Sequence, residues 1–361
     1  MRDFALAPEI EELRSAAERL GRSELEPRVR ESEAAGRWPD AVLEVLDGFP
    51  LGGLDVPEAR GGVGAGALAK VVLLETLAQY DASGLPAADR PGPAVGAILA
   101  CPDRSLAAEV LATALDGTAQ SALTVVDVDN GSRRLDWAPG WPALRWIWVS
   151  EGDGLRLYEV TGTPDPVVAL AFQASGGVSI PFRETVVRGA WHLEPNVALE
   201  VRGRARLWGA AVCVGVAQAA LEETIEYTTA RVVFGKPVAH HQGNAFDLAY
   251  AGSRVHAARL MVRDAAAAFD RGEEFAAFWA TQSWLETREA AFVATNVGIQ
   301  LLGGHGFIVD HLAEKRFREV RHLAMAAGGL DAAEFDVASQ VLHVPDGLLA
   351  GLDQLTGLEK R

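Results

Sequence analysis

Two segments of this 361-residue chain carry residues that could together hold a phosphate group. In the first, Arg231 follows a predicted helix and precedes a Phe-Gly-Lys-Pro turn, so its guanidinium would project from a fixed backbone. A planar, permanently charged, bidentate donor suits a pyrophosphate. In the second, Gly303 and Gly304 follow a predicted helix, where glycines let a phosphate or adenosine group approach the backbone closely. Each segment alone is also typical of an ordinary helix end, with an arginine near the dipole or a glycine cap.

The order and spacing of these residues resemble the FAD-pyrophosphate-binding half of the acyl-CoA dehydrogenases. The first segment reads Arg-Val-Val-Phe-Gly-Lys at 231–236, with His-Gln at 241–242, and the second reads Gln-Leu-Leu-Gly-Gly-His-Gly-Phe at 300–307. Glu-Lys-Arg-Phe-Arg-Glu at 314–319 is similar to the family's E-K-x-x-R-D element, and residues 54–62 are similar to its L-x-V-P-E-x-x-G-G turn. Three matches in order, together with the turn, extend the resemblance over most of the chain.

The resemblance implies that FAD is the cofactor and that it lies across a subunit interface. In such an arrangement the flavin ring occupies one subunit's active site, while the neighbouring subunit holds the ADP half. The residues of this chain that the resemblance assigns to cofactor binding are Arg231, Phe234, His241, Gln242, Gln300, Gly303 and Gly304. Five of them are of the type that serves the neighbour's flavin: Arg231, Gln242, Gln300, Gly303 and Gly304.

The same resemblance leaves this chain without a catalytic residue. Counted from Arg318, the family's glutamate position is Ala327, and the seat that some members use instead, before the arginine similar to Arg206, is Ala205. A carboxylate is needed because the reaction removes the α-proton of an acyl-CoA as a hydride leaves the β-carbon. Asp331 and Glu334 follow the first seat, and we expect them on a solvated helix face.

The flavin-facing segment of the chain also departs from the family pattern. Residues 122–131 keep neither the proline nor the Gly-Ser pair of the family's loop, and Trp146-Ile147-Trp148 is a poor match to its Trp-Ile-Thr/Ser strand. We expect these tryptophans in half-buried sheet.

Three hypotheses for function follow from this pattern. The first is the non-catalytic subunit of a heteromeric (α2β2), FAD-dependent acyl-CoA dehydrogenase, resembling the actinobacterial enzymes that act on steroid-derived CoA thioesters. Its partner would be a homologous catalytic subunit that binds most of the acyl-CoA. The second is a self-sufficient homo-oligomer running other flavin chemistry, with Asp127, Asp331 or Glu334 as its base. The third is a flavin-free structural or regulatory homologue.

Composition excludes several other classes of protein. A formal charge of −16 and a pI of about 5.0 argue against nucleic acid or an anionic membrane as a partner. Two cysteines, Cys101 and Cys213, without metal-ligand spacing, predict no disulfide or metal site and a reducing, cytoplasmic compartment. The N-terminus resembles neither a signal nor a transit peptide, and the apolar stretches are too short for membrane insertion.

The elements that must position these residues are mostly helices. We predict a mostly α fold with a central β-domain, as in the acyl-CoA dehydrogenases: an N-terminal helical domain at 1–118, a middle β-barrel or sandwich domain at 119–200, and a C-terminal four-helix bundle at 201–361. Helical periodicity favours helices at 207–231, 246–270, 273–302 and 332–342. Alternating runs on either side of a Glu-Gly-Asp-Gly turn at 151–154 predict a hairpin.

Overall fold

The computed structural model of the protein describes residues 5–46, 49, 51–125, 134–140, 143–325 and 328–342, and it confirms a mostly helical fold with a central β region. The helices are α1 Pro8–Leu20, α2 Val29–Ala35, α3 Asp40–Leu46, α4 Gly66–Asp81, α5 Leu85–Ala88, α6 Val95–Ala100, α7 Arg104–Leu115, α8 Pro195–Ala230, α9 Gln242–Asp270, α10 Ala276–Leu302, α11 Ala313–Leu323 and α12 Gly329–Leu342. The strands are β1 Gln120–Thr124, β2 Arg134–Ala138, β3 Leu144–Glu151, β4 Gly154–Val160, β5 Asp165–Pro166, β6 Val178–Pro181, β7 Thr185–His192, β8 Val232–Val233 and β9 Lys236–Pro237.

The strands of the central region form a four-stranded sheet in the order β1-β3-β4-β7 and a three-stranded sheet in the order β2-β6-β5. The predicted hairpin is confirmed, because β3 and β4 pair antiparallel up to Glu151 and Gly154. The expectation of half-buried tryptophans is wrong, since Trp146 and Trp148 are fully buried. Helices α6 and α7 cover this face of β3, while Ile147 on the opposite face packs against β2 and β6. Two covered faces make β3 a core strand.

The C-terminal bundle is built around α8, which packs along α10, α4 and α9. Small residues allow the close approach: a Cβ at Gly203 would lie 3.0 Å from the Cα of Ala277, and one at Gly209 would lie 2.9 Å from the Trp284 ring. Helix α8 begins at Pro195, twelve residues before the predicted start at Leu207, because proline is favourable in a first turn and Gly203 is tolerated inside a buried helix.

The predicted division of the chain after residues 118 and 200 stays a prediction. The strands of the two larger sheets lie between Gln120 and His192. Within the described ranges, no helix is both long and apolar enough to cross a membrane.

Candidate functional site

A short hairpin follows α8 and carries the first predicted cofactor segment. Strands β8 and β9 pair across a two-residue turn, Phe234-Gly235, in which both residues have positive φ (51° and 81°), as in a type I′ turn. A left-handed conformation costs a side-chain-bearing residue about 1–2 kcal/mol. The Phe234 side chain is nevertheless 94% exposed, so no burial compensates that cost. Strain at an exposed aromatic residue marks the turn as a candidate binding element.

The hairpin is held against the start of α9. The Nε2 atom of His241 lies 3.0 Å from the carbonyl oxygen of Val233, and the Asn244 side chain donates to the carbonyl of Val238 at 2.9 Å. His241 therefore fixes the hairpin and does not project from it. Gln242, the first residue of α9, is exposed beside it.

An open groove of about 450 Å³ brings Arg231 together with Gly303 and Gly304. Gly303 ends α10 with φ 60° and ψ −131°, a conformation available in practice only to glycine. Nothing lies within 4 Å of a Cβ placed at either glycine, so the backbone there faces open space. Tyr227 and His305 complete this side of the groove, with the tyrosine hydroxyl 2.9 Å from His305 Nδ1.

The exposed side chain of Arg231 forms no hydrogen bond or ion pair with any residue that the structure describes. Its charge is thus available to an anion. Phe234, Gln242 and Gln300 are also exposed, but they do not line the groove. We use the term clamp face for Arg231, Phe234, His241, Gln242, Gln300, Gly303 and Gly304.

A second site is an apolar cavity of about 360 Å³ between the central β region and the helical bundle. Strands β1 and β2, helices α8, α10 and α11, and the segment after α11 each supply part of its wall. Residues that line it include Ser121, Thr124, Val125, Asp136, Trp137, Phe172, Phe182, Ala205, Trp208, Trp284, His322, Met325 and Gly328.

Several polar atoms in this wall have no partner among the described residues. They are the hydroxyl of Ser121 and the indole nitrogens of Trp137 and Trp284, all of them buried. In contrast, the Trp208 indole donates to Asp89 at 2.7 Å. Buried polar atoms are normally hydrogen-bonded, so these three are uncompensated within the described part of the chain.

The structure places one of the two expected catalytic seats in the cavity wall. Ala205 lines the cavity and is 2% exposed, whereas Ala327 lies outside the described residues, as does most of the flavin-facing loop, including Asp127. The predicted exposure of Asp331 and Glu334 is confirmed, and neither lines the cavity. Among the described lining residues, Asp136 at the exposed edge of β2 is the one acidic side chain.

The side chain of Arg206, the residue after Ala205, does not line the cavity and forms an ion pair with Asp336 of α12. Its guanidinium is fully buried and donates to Asp336, which also receives a bidentate pair from Arg202 at 2.8 Å. Burial alone would raise the pKa of Asp336, but the two arginines hold that pKa below its usual value. The pair is structural, and it leaves Arg206 unavailable to the cavity.

Trp137 and His322 are among the lining residues that the sequence analysis did not identify. Trp137 lies on the same face of β2 as Leu135. Their alternation with polar residues is the pattern of a strand with one buried face, but β2 is only five residues long. His322 lies on the same face of α11 as the buried Lys315 and Glu319. The helical spacing of these three residues would have indicated that His322 is buried. The structure shows that both face the cavity.

Comparison with known proteins shows the family to which the chain belongs. Two family models match the chain, the acyl-CoA dehydrogenase N-terminal domain over residues 7–117 and the acyl-CoA dehydrogenase C-terminal domain over residues 196–342, together more than half of it. A probable acyl-CoA dehydrogenase of Mycobacterium tuberculosis, FadE25, is 28% identical over 88% of this chain and 91% of that protein.

A further relative and a solved structure are similar to nearly the whole chain. The 3-sulfinopropanoyl-CoA desulfinase of Paraburkholderia xenovorans is 26% identical over 94% of this chain and 97% of that protein. The structure of butyryl-CoA dehydrogenase from Megasphaera elsdenii has a TM-score of 0.81 at 20% identity and covers 94% of this chain and 100% of that one. The chain belongs to the acyl-CoA dehydrogenase family.

Proposed function

We propose that this chain is a subunit of an FAD-dependent acyl-CoA dehydrogenase that supplies the ADP-half clamp to a homologous catalytic partner and has no catalytic carboxylate of its own. The observation that carries the proposal is Ala205, which lines the cavity where a base would be required. Alanine at position 327 cannot accept a proton wherever it lies. A general base must be within hydrogen-bond reach of the proton that it removes, and neither seat offers one.

The clamp face fits the ADP half of FAD. Arg231 offers a charged, unpaired, bidentate donor beside a backbone that is open at Gly303 and Gly304, which suits a pyrophosphate. Phe234 presents an exposed ring on a fixed turn, which suits stacking on a planar base. When bound, FAD supplies the hydride acceptor of the reaction, while these residues bind and orient its ADP half.

The cavity is a weaker match to the flavin ring. Its described wall is mostly apolar, and its unpaired polar atoms are a hydroxyl and indole nitrogens rather than a set of donors and acceptors arranged along one edge. This difference between the two sites supports a chain that serves another subunit's flavin.

Exposed apolar side chains support a partner subunit on the clamp face. Seven large ones lie in the hairpin, in the first turns of α9 and in the segment after Gly304: Val232, Phe234, Phe246, Tyr250, Phe307, Ile308 and Val309. Exposed apolar groups clustered in this way mark protein interfaces. The proposed partner is a homologous catalytic subunit that binds most of the acyl-CoA, with a steroid-derived acyl group as the first substrate class to assay.

The experiment is a flavin count on the chain alone and on its complex. The chain is purified alone and after co-expression with the product of the adjacent reading frame as the candidate partner, and the flavin released by denaturation is divided by the amount of protein. We expect little FAD on the chain alone and one FAD per heterodimer. One FAD per chain in the absence of a partner would contradict the proposal and favour a self-sufficient homo-oligomer, and no flavin in either sample would favour a flavin-free homologue.

A further inference from the structure

A further pocket lies among the N-terminal helices, apart from the cavity and from the clamp face. It measures about 290 Å³, and its described wall comes from α3, α5, α7 and the segments at 49–53 and 61–63. None of these lining residues also lines the cavity or the groove at Arg231. The pocket is therefore a separate candidate site.

Arg90 is the one charged side chain in the described wall of this pocket. Its guanidinium forms no hydrogen bond or ion pair with any residue that the structure describes, and its Nε atom is buried. A buried donor without an acceptor is unfavourable, because it has lost contact with water and has gained no partner in exchange. The arginine is also permanently charged, so the acceptor that it lacks is an anion.

The carboxylates nearest in sequence or in space have partners of their own. Asp89 pairs with Lys70 at 2.7 Å. Asp116 accepts from the hydroxyl and the amide of Thr118, and these hydrogen bonds are the main reason that its pKa is lowered, with Arg90 as the smallest contribution. Neither carboxylate forms an ion pair with Arg90, whose charge is therefore available to a ligand.

The surrounding backbone fixes the position of Arg90. Its carbonyl oxygen accepts from the amide of Ser121 in β1 at 3.0 Å. Its guanidinium lies against the turn after α7, where a Cβ at Gly117 would be 3.1 Å from the Cζ atom. Gly117 has φ 84°, so glycine suits both the turn and the close contact. A guanidinium that is already positioned loses little conformational freedom when it binds an anion.

The rest of the described wall is apolar. Leu43 and Leu46 of α3, Phe49, Val63 and Leu115 contribute aliphatic and aromatic surface. A small inorganic anion would satisfy the charge but would leave this surface without contact. The volume of about 290 Å³ is at the lower end of small-molecule sites, which measure about 300–1,000 Å³. Charge, wall and size together suit a short carboxylate with an apolar tail.

We propose that this pocket binds a small monocarboxylate with a short alkyl tail, and that Arg90 donates a bidentate pair of hydrogen bonds to the carboxylate. The planar guanidinium fork matches a carboxylate, and the leucine side chains cover the tail. The inference does not depend on the proposed function, because no residue of the pocket belongs to the clamp face or to the cavity.

The test compares hexanoate with 1-hexanol, which share one tail length and differ in charge, by isothermal titration calorimetry on the purified full-length chain. The parent protein should bind hexanoate more tightly than 1-hexanol. In Arg90→Gln, which removes the charge and keeps a polar side chain, hexanoate affinity should fall about ten- to a hundredfold, as for lost hydrogen bonds to a charged group. The affinity for 1-hexanol should stay within about twofold.

Arg104→Gln is the matched control, because it makes the same change in net charge at an exposed arginine of α7 that does not line the pocket. It should leave both affinities unchanged. Acetate, which carries the charge with almost no tail, should bind the parent protein at least about tenfold more weakly than hexanoate.

Four results would overturn the proposal: no binding of hexanoate by the parent protein, unchanged hexanoate affinity in Arg90→Gln, an equal fall in Arg104→Gln, or acetate binding as tight as that of hexanoate. If Arg90→Gln does not fold, a measurement that keeps Arg90 decides. In nitrogen-15-arginine-labelled Arg231→Ala, which lacks the unpaired arginine of the clamp face, one Nε signal should shift with hexanoate and stay in place with 1-hexanol. If no Nε signal distinguishes the two probes, Arg90 is not the recognising group.

Discussion

Replacing Lys315 with methionine should destabilise the fold strongly, because this lysine neutralises two buried carboxylates. Its Nζ atom lies 2.8 Å from Asp81 at the end of α4 and also pairs with Glu319 one turn along α11. All three side chains are at most 3% exposed. Asp81 accepts a further hydrogen bond from the Trp38 indole at 2.6 Å. The cluster ties the N-terminal helices to α11, which carries His322.

The magnitude follows from the charges that the substitution leaves behind. Removing one partner of a buried ion pair typically costs about 3–5 kcal/mol, because the remaining charge is neither solvated nor compensated. We therefore expect the free energy of unfolding of Lys315→Met to fall by about 3–5 kcal/mol in urea denaturation followed by circular dichroism. Lys236→Met is the control, because Lys236 is exposed and its side chain forms no ion pair with a described residue. Its free energy should change by less than about 0.5 kcal/mol.

The pH dependence gives a second, independent criterion. Burial raises the pKa of Glu319 even in the parent protein. Without the lysine the folded-state pKa rises further above the unfolded one, so the variant takes up protons on folding. Its deficit should be larger at about pH 7.5 than at about pH 5.5, where protonation of Glu319 relieves the unpaired charge. A deficit below about 1 kcal/mol, or one that grows as the pH falls, would refute this reasoning.

Three further predictions concern the two candidate sites. Arg231→Ala should weaken FAD binding by the complex about ten- to a hundredfold, with poor rescue by lysine, measured as flavin retained on desalting. Arg183→Ala, which removes an exposed arginine of the central β region, is the control and should have no effect. The folded-state pKa of His322, about 4, lies below its unfolded value of 6.5, so stability should fall by up to about 3 kcal/mol as the pH drops from 6.5 to 4, and His322→Phe should flatten that dependence. Ala327→Glu alone should not restore dehydrogenation, because the segment at 124–131 lacks the residues that would seat a flavin; enoyl-CoA formation by the purified variant would contradict the proposed division of labour.

The order of helices and strands could be read from the sequence because local signals agree with the final fold. Periodicity placed the bundle helices, and alternation around a Gly-Asp turn placed the β3–β4 hairpin. The start of α8 and the burial of β3 were misjudged for a shared reason. Both depend on neighbours distant in sequence, namely the helices that cover Trp146 and the bundle that accommodates Gly203.

The candidate sites were predictable to different degrees. The groove at Arg231, Gly303 and Gly304 lies in segments whose residue types already suit phosphate binding. The cavity residues could not be placed in the same way, since Phe172, Ala205 and His322 meet only when the β region packs on the bundle. The role of Lys315 was hidden as well, because its partner Asp81 is 234 residues away.

The ion pairs around Ala205 support the proposed absence of a base, because restoring one at this position would take more than a single substitution. A carboxylate introduced at position 205 would need a cation to orient it, and the arginine that the family resemblance pairs with this seat is Arg206. That arginine is fully buried against Asp336, which Arg202 also holds. If Arg206 were released, the buried Asp336 would keep only Arg202 as a counter-charge, and the folded state would lose several kcal/mol of stability. The network therefore favours an empty catalytic seat, and this supports a chain whose contribution to the reaction lies on the clamp face.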